Sequence, residues 1–224
     1  MEVTLATKLC SARDRLRARG LFPEAGTSLS LRQPGTQEYL FLDRSAASPI
    51  LRSLSPLGQS TSGIPTLAHA SSNHALIYQL RPDVGAILIG GGSYGALLHE
   101  TGGVLPMLFD EQARHLGRMA NPVSETAGSK FERQLARALS GGANAVMAGS
   151  VPIRLGTTCQ RMVFNAELFE KCAKAFVLAW ATGNPVTRIP WWVTQIARAR
   201  LKEDERAAAA HFAAGKLPLE SAGY

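Results

Sequence analysis

Apolar residues recur along the first half of the chain at two distinct periods. Leu5, Leu9 and Leu16 fall at i, i+4 and i+11, near one helical face, so a helix is predicted over 4–19, with Gly20 as its stop. Segments 29–32 and 38–43 read as strands, and the intervening RQPGTQ carries a Pro-Gly turn signal, so a hairpin is expected. Residues 44–66 are rich in Ser, Pro and Gly and read as loop. A helix is predicted over 69–80, because Pro82 disfavours helical geometry at Arg81. The apolar run 84–89 fits a buried strand; Gly90-Gly91-Gly92-Ser93 and a short helix over 94–100 follow it.

In the second half, 109–118 reads as a short helix. Ser129 and Glu132 match a capping box for a helix ending near Gly141, with Phe131, Leu135 and Leu139 on one face. Segments 145–148 and 152–155 are candidate strands. A long helix is predicted over 159–182, with Met162, Phe169, Phe176 and Trp180 on one stripe and Gly183 and Pro185 closing it. A last helix over 190–214 leads to a flexible tail, 215–224; Trp191 and Trp192 are expected to pack that helix onto the core or a neighbouring subunit, with a lid over a ligand as the other reading. No internal repeat and no linker interrupts the chain. The expectation is one α/β domain over 1–224 with a single central sheet.

Composition narrows the function classes. Of 224 residues, 46% are apolar and 18% charged, as in ordinary globular chains, and no apolar run approaches the roughly 20 residues of a membrane span. In the N-terminal segment the charges follow the apolar residues, opposite to a secretory signal, and Cys10, Cys159 and Cys172 are too few and too far apart for a disulfide framework. A reduced, cytoplasmic protein is expected. The net charge of +7 points to an anionic partner. No basic stretch is interleaved with aromatics, so nucleic acid is not expected and a small anionic metabolite is. Arg13, Arg15, Arg17 and Arg19 read as a solvated helix face.

The most informative stretch is HALIYQLRPDVGAILIGGGSYGALL, from His74 to Leu98. His74, Ile77, Tyr78, Arg81, Pro82, Asp83 and Val84 resemble, in type and spacing, a motif of the class II aldolase/adducin family: a helical H-x-x-I-Y, then R-P-D-V, a hydrophobic strand and a metal-binding H-x-H. GTSLSLR at 26–32 and AVMAGSVPIRLG at 145–156, followed by a long helix, resemble flanking segments of that family, so the likeness spans most of 5–182. It implies a mostly antiparallel central sheet flanked by helices, and a homo-oligomer, a tetramer, with sites between subunits. The family's functional positions are altered. Its three metal histidines fall on Ile89, Gly91 and Ser150, its catalytic Glu on Ala70, its phosphate-holding serines on Ala68 and His69, its strand-entry Asn on Ser28 and a phosphate-loop Thr on Asp43. Alkyl groups and a hydrogen do not ligate metal and Ser does so poorly, so no zinc and no other cofactor are expected.

Other residues stand where that chemistry would be. A loop beyond the carboxyl end of a strand is a favoured ligand position, and glycines let backbone N–H groups approach an anion. Gly90, Gly91, Gly92 and Ser93 are therefore candidate ligand-binding residues, joined by Ser28, His69 and Arg44. The expectation is that Gly91→Val abolishes anion binding and leaves the fold intact. In DEQARH, Glu111 and His115 are four apart, a spacing that lets a carboxylate orient a general-base imidazole; they are the candidate catalytic pair, against a plain surface ion-pair reading. A relocated metal site from His69, His99, Glu111 and His115 is a further alternative. Two readings of function follow. One is a binder of, or lyase- or isomerase-like enzyme on, a small anionic metabolite without the family zinc. The other is a metal-free scaffold or partner subunit, as in the adducin branch of the family.

Overall fold

Side chains alternate along each strand, and the sheet sorts them onto two faces. The computed structural model describes residues 4–23, 26–44, 46–54, 65–124 and 128–220, with the backbone alone at 65–70. Strands β1 (Ser28–Arg32), β2 (Glu38–Asp43), β3 (Ile50–Ser53), β4 (Ala86–Ile89), β5 (Ala145–Ala148) and β6 (Val151–Gly156) form one sheet in the order β3-β2-β1-β4-β6-β5. Every neighbouring pair of these strands is antiparallel. Leu29, Leu31, Leu42, Ala86 and Leu88 bury one face against Leu9 and Leu16 of α1 (Leu5–Ala18) and Met162 and Ala166 of α6 (Cys159–Ala181). Tyr39, Phe41, Ile87, Ile89, Ile153 and Leu155 bury the other against α2 (Pro65–Leu80) and α5 (Gly128–Leu139). The short α3 (Ser93–Leu97), a 3-10 turn (Leu98–Thr101) and α4 (Asp110–His115) lead across the β5 end, and α7 (Trp191–Ala213) follows α6.

Expectation and structure agree on most elements. The segment 44–66 is the main exception: within it Ile50–Ser53 pairs with β2 as an edge strand. Four half-exposed residues between Ser-Pro clusters carry no pattern of their own, and the pairing comes from the neighbouring strand. Ser129 lies inside the first turn of α5 and so is not the cap that the capping-box pattern predicts. Thr158, by contrast, caps α6 by accepting a hydrogen bond from the Arg161 N–H at 3.1 Å. On the α6 stripe Met162 and Phe169 are buried, but Trp180 is 54% exposed. Trp191 and Trp192 are also exposed, so neither anchors α7 by packing within the chain. The expected tail is described as far as Glu220, whose carboxylate accepts from the Thr158 hydroxyl. All three cysteines are free. Among the described residues no helix is long and apolar enough to cross a membrane.

Two polar networks lock this arrangement, and both come from the H-x-x-I-Y-x-x-R-P-D segment. The period of two that points Leu29 and Leu31 one way points Ser28 and Ser30 the other. There the Ser28 hydroxyl meets His74 Nε2 at 2.8 Å, and the Ser30 hydroxyl meets His74 Nδ1 and the Tyr78 hydroxyl, each at 2.7 Å. Burial pushes the His74 pKa down to about 3 and drives that of Tyr78 up, so both are neutral and one ring nitrogen of His74 donates while the other accepts. One turn on, the Arg81 guanidinium donates to both Asp83 carboxylate oxygens at 2.8 and 2.6 Å, to the Ala143 carbonyl at 2.9 Å and to Glu205 of α7 at 3.0 Å. All three charged side chains are largely shielded from water.

Removing the cation from such a group leaves buried carboxylates unpaired. Arg81→Met is expected to cost about 3–5 kcal/mol of stability, measured by urea unfolding. The Glu205 carboxyl pKa is pushed up to about 7 from its ordinary 4.5, burial outweighing the pull of Arg81. The folded protein therefore keeps a proton that the unfolded chain has released, so this group's contribution to stability falls as pH rises from about 4.5 to 7. Unfolding curves of Glu205→Gln taken across that window are expected to show a flatter decline than those of the unsubstituted chain.

Candidate functional site

One end of the sheet gathers most of the candidate residues. Ser28 opens β1 and pairs with both Asp43, the last residue of β2, and Ile89, the last residue of β4. Gly90, Gly91 and Gly92 continue from β4, all with positive φ (80°, 79° and 90°), a region closed to most L-residues. Ser150 lies at the same end, in the turn between β5 and β6. The chain thus brings positions 28, 43–44, 89–93 and 150 together as the motif spacing implies.

The first part of the glycine loop is bonded from within: the Gly90 N–H donates to the Pro152 carbonyl at 2.9 Å. Arg154 is the central charge in the apolar strand β6, aligned with Leu88 of β4, and only 1% of it is exposed. Its guanidinium rises under the loop and donates to the carbonyls of Gly90, Gly91 and Pro152. Burial lowers its pKa to about 10, against the pull of Glu170, so it stays a cation near neutrality. From α6, Glu170 accepts from the backbone N–H groups of Tyr94 and Gly95 at 2.8 and 2.9 Å. Those donors at the start of α3 follow directly on the expected ones at 90–93. The cradle holds an anion, and the anion is the chain's own carboxylate. Neither Arg154 nor Glu170 was among the expected site residues; the available signal was a lone arginine in an otherwise apolar strand.

Of the remaining ligand-binding candidates, Ser28 is committed to the frame. Ser28 is 1% exposed and spends its hydroxyl on His74, so it is a structural residue. The Ser93 side chain is exposed at the start of α3. Arg44 is exposed, and its backbone carbonyl accepts from Arg17. The His69 side chain lies outside the described residues.

The expected Glu111–His115 partnership is replaced. Glu111 pairs with Lys171 of α6 at 3.2 Å. His115 turns inward, edge-on to Phe164, with Nδ1 2.7 Å from an Arg161 guanidinium nitrogen. A guanidinium only donates, so Nδ1 accepts and the neutral ring carries its proton on Nε2. Burial, then Arg161 and Arg114, outweigh Asp204 and hold the His115 pKa down to about 4. The i,i+4 spacing was real, but α4 presents the two residues to different neighbours on α6.

A separate cleft of about 630 Å3 opens where residues 101–107, the 118–121 turn, the 186–189 segment and the first turns of α7 meet. Arg118, Arg188 and Arg198 line it, and no Asp or Glu does. The Trp191-Trp192 pair, one reading of which was a lid over a ligand, is the one sequence feature that pointed here; the arginines come from separate stretches without a shared motif.

With this geometry in hand, the solved structures it resembles can be compared. An L-fuculose 1-phosphate aldolase superposes with a TM-score of 0.71 at 19% identity, over 87% of this chain and 94% of that one. An aldolase II superfamily protein from Pseudomonas syringae gives 0.67 at 18%, over 92% and 88%. The l-fuculose-1-phosphate aldolase from Thermus thermophilus gives 0.64 at 15%, over 82% and 98%. The fold is that of the class II aldolases. No family model matches the sequence, and no curated protein matches it either.

Zinc is held by imidazole, thiolate or carboxylate donors. Ile89 is packed in the core, Gly91 has no side chain and Ser150 is an exposed hydroxyl; among the described residues no three His, Cys, Asp or Glu side chains gather as a metal-binding group. The residues at these positions do not fit zinc. The glycine loop also has no room for a substituent: a Cβ on Gly91 would meet the Leu21 carbonyl oxygen at 2.1 Å, and one on Gly92 would meet Glu170 at 2.5 Å. Gly91→Val is therefore no selective probe of binding, contrary to expectation. Gly91→Ala alone is expected to cost about 3 kcal/mol from strain at positive φ plus overpacking, while Glu170→Gln, which only weakens the cap of α3, should cost about 1 kcal/mol. Chemical denaturation of the two variants side by side checks the order.

Proposed function

We propose that the chain is a zinc-independent protein of class II aldolase fold that binds a small anionic metabolite, a carboxylate or sugar phosphate. The observation that carries this reading is Arg154. A fixed guanidinium sits under Gly90 and Gly91, at the strand end where the family resemblance implies a metal cation, and Glu170 fills the matching anion position. The aldolases of this fold use a metal to polarise a carbonyl; a buried guanidinium spent on three backbone carbonyls is not available for that role. An anionic ligand is supported by the net charge of +7 and by the gathering of Arg118, Arg188 and Arg198 at one cleft. His115 is the candidate base for lyase- or isomerase-like turnover. Its pKa near 4 leaves it neutral but weakly basic at pH 7, which supports binding over turnover. The free thiols support a reducing, cytoplasmic setting.

A second reading, a homo-oligomeric scaffold or partner subunit, is favoured by one observation. Leu178, Trp180, Trp191, Trp192 and Ile196 all expose about half or more of their surface where α6 ends and α7 begins.

A thermal-shift screen against carboxylates and sugar phosphates, with and without zinc and a chelator, separates the readings. The expected result is a rise in melting temperature with an anion that neither zinc nor chelator alters. A zinc-dependent rise reversed by the chelator overturns the zinc-free reading. A flat screen, together with an oligomer by light scattering that dissociates on Trp192→Ser, replaces the metabolite reading with the scaffold reading.

A further inference from the structure

The arginine cleft gathers three cations in one concavity with no carboxylate among its lining residues. Several arginines elsewhere have a carboxylate partner: Arg15 with Glu167 at 2.7 Å, Arg114 with Asp204 at 2.7 Å, Arg81 with Asp83 and Glu205. Arg118, Arg188 and Arg198 line one concavity with no acidic residue, and among the described residues none of the three forms a salt bridge. Like charges lining one cleft repel one another, and an anionic ligand relieves that repulsion. The walls that carry them are fixed. The Ile189 N–H donates to the Met107 carbonyl at 3.0 Å, stitching the segment before α7 onto the segment before α4, and Arg114–Asp204 clamps the two helices. Backbone walls already in place remove part of the ordering cost of binding.

Most of the remaining lining is apolar or aromatic. Leu105 and Met119 are buried beneath the cleft, Phe176 lines one side, and Trp191 stands beside it with 75% of its surface exposed. That exposed indole offers apolar area that a bound ligand would bury. Asn121 and Gln195 supply neutral donors and acceptors at the same rim. A volume of about 630 Å3 lies inside the range of roughly 300–1,000 Å3 usual for small-molecule sites.

We propose that this cleft, rather than the glycine loop, is the ligand site, and that it takes a small organic anion in two parts: a phosphate or carboxylate held by Arg118, Arg188 and Arg198, and a flat apolar body laid against Trp191 and Phe176. This rests on the anion-binding reading above and adds where the ligand sits and what its other half must be. Guanidinium groups suit the anionic end because they offer paired donors to two oxygens at once.

Phenyl phosphate titrated into the full chain tests it, by calorimetry and by tryptophan fluorescence. The expected result is saturable binding, tighter than that of inorganic phosphate, with a fluorescence change that disappears in W191F while the heat remains. The R118Q/R188Q/R198Q variant is expected to bind at least about ten-fold more weakly, and R188Q alone, on an exposed segment, about three-fold. R133Q/R137Q/R206Q removes the same charge elsewhere and is expected to bind within about two-fold of the unsubstituted chain. Equal weakening in both triple variants assigns the effect to net charge and overturns the site, as does undiminished binding in the first. Equal affinity for phenyl and inorganic phosphate overturns the two-part ligand. Absence of phenyl phosphate binding overturns the cleft proposal, and the anion reading falls with it only when the thermal-shift screen is flat as well.

Discussion

A guanidinium with 1% of its surface in water needs acceptors, and the way Arg154 finds them organises one end of the molecule. Its side chain lies on the face of β6 that meets α6, and the acceptors it takes there are backbone carbonyls. Turning the Gly90 and Gly91 carbonyls toward it requires positive φ at both residues, which is why side chains are excluded there. The turned loop in turn aims the first amides of α3 at α6, where Glu170 accepts them. A carboxylate and a guanidinium thus sit on either side of three glycines, each hydrogen-bonded to backbone groups. The loop is rigid because it is the connector between these two charges.

The parts of the fold that follow from period were legible in the sequence. Leu29 and Leu31 against Ser28 and Ser30, and Ile87 and Ile89 against Ala86 and Leu88, sort onto two faces as a strand period requires, and each face found its helices. The H-x-x-I-Y and R-P-D residues were recognisable and turned out to hold the frame: His74 and Tyr78 fasten α2 to β1, while Arg81 and Asp83 fasten the turn to α7. What sequence did not disclose were partners supplied from far along the chain. Glu111 and His115 have helix spacing, yet their neighbours are Lys171 and Arg161, some fifty residues on. β3 carries no strand pattern and exists because β2 offers it an edge.

The same distinction separates the two candidate ligand positions. The glycine loop is contiguous, so it stood out in the sequence, and its contiguity let the fold complete it internally. The arginine cleft draws single residues from distant stretches, and a charge spread that way is invisible until the segment before α7 is laid over the segment before α4 by Ile189 and Met107. Contiguous polar features are the ones folding most easily satisfies; unsatisfied charge collects where separate segments meet.

Two neighbours on α7 have a consequence for how this protein can change over time. Asp204 grips Arg114 of α4, and Glu205, the next residue, grips Arg81 of the R-P-D turn. Consecutive helical residues point about 100° apart, so these two contacts fix the rotation of α7 about its axis as a key fixes a shaft. A single inserted or deleted residue between Trp191 and Asp204 would turn both carboxylates away together, and no side-chain rearrangement restores them. Loops elsewhere can lengthen or shorten by drift; α7 can only exchange one residue for another.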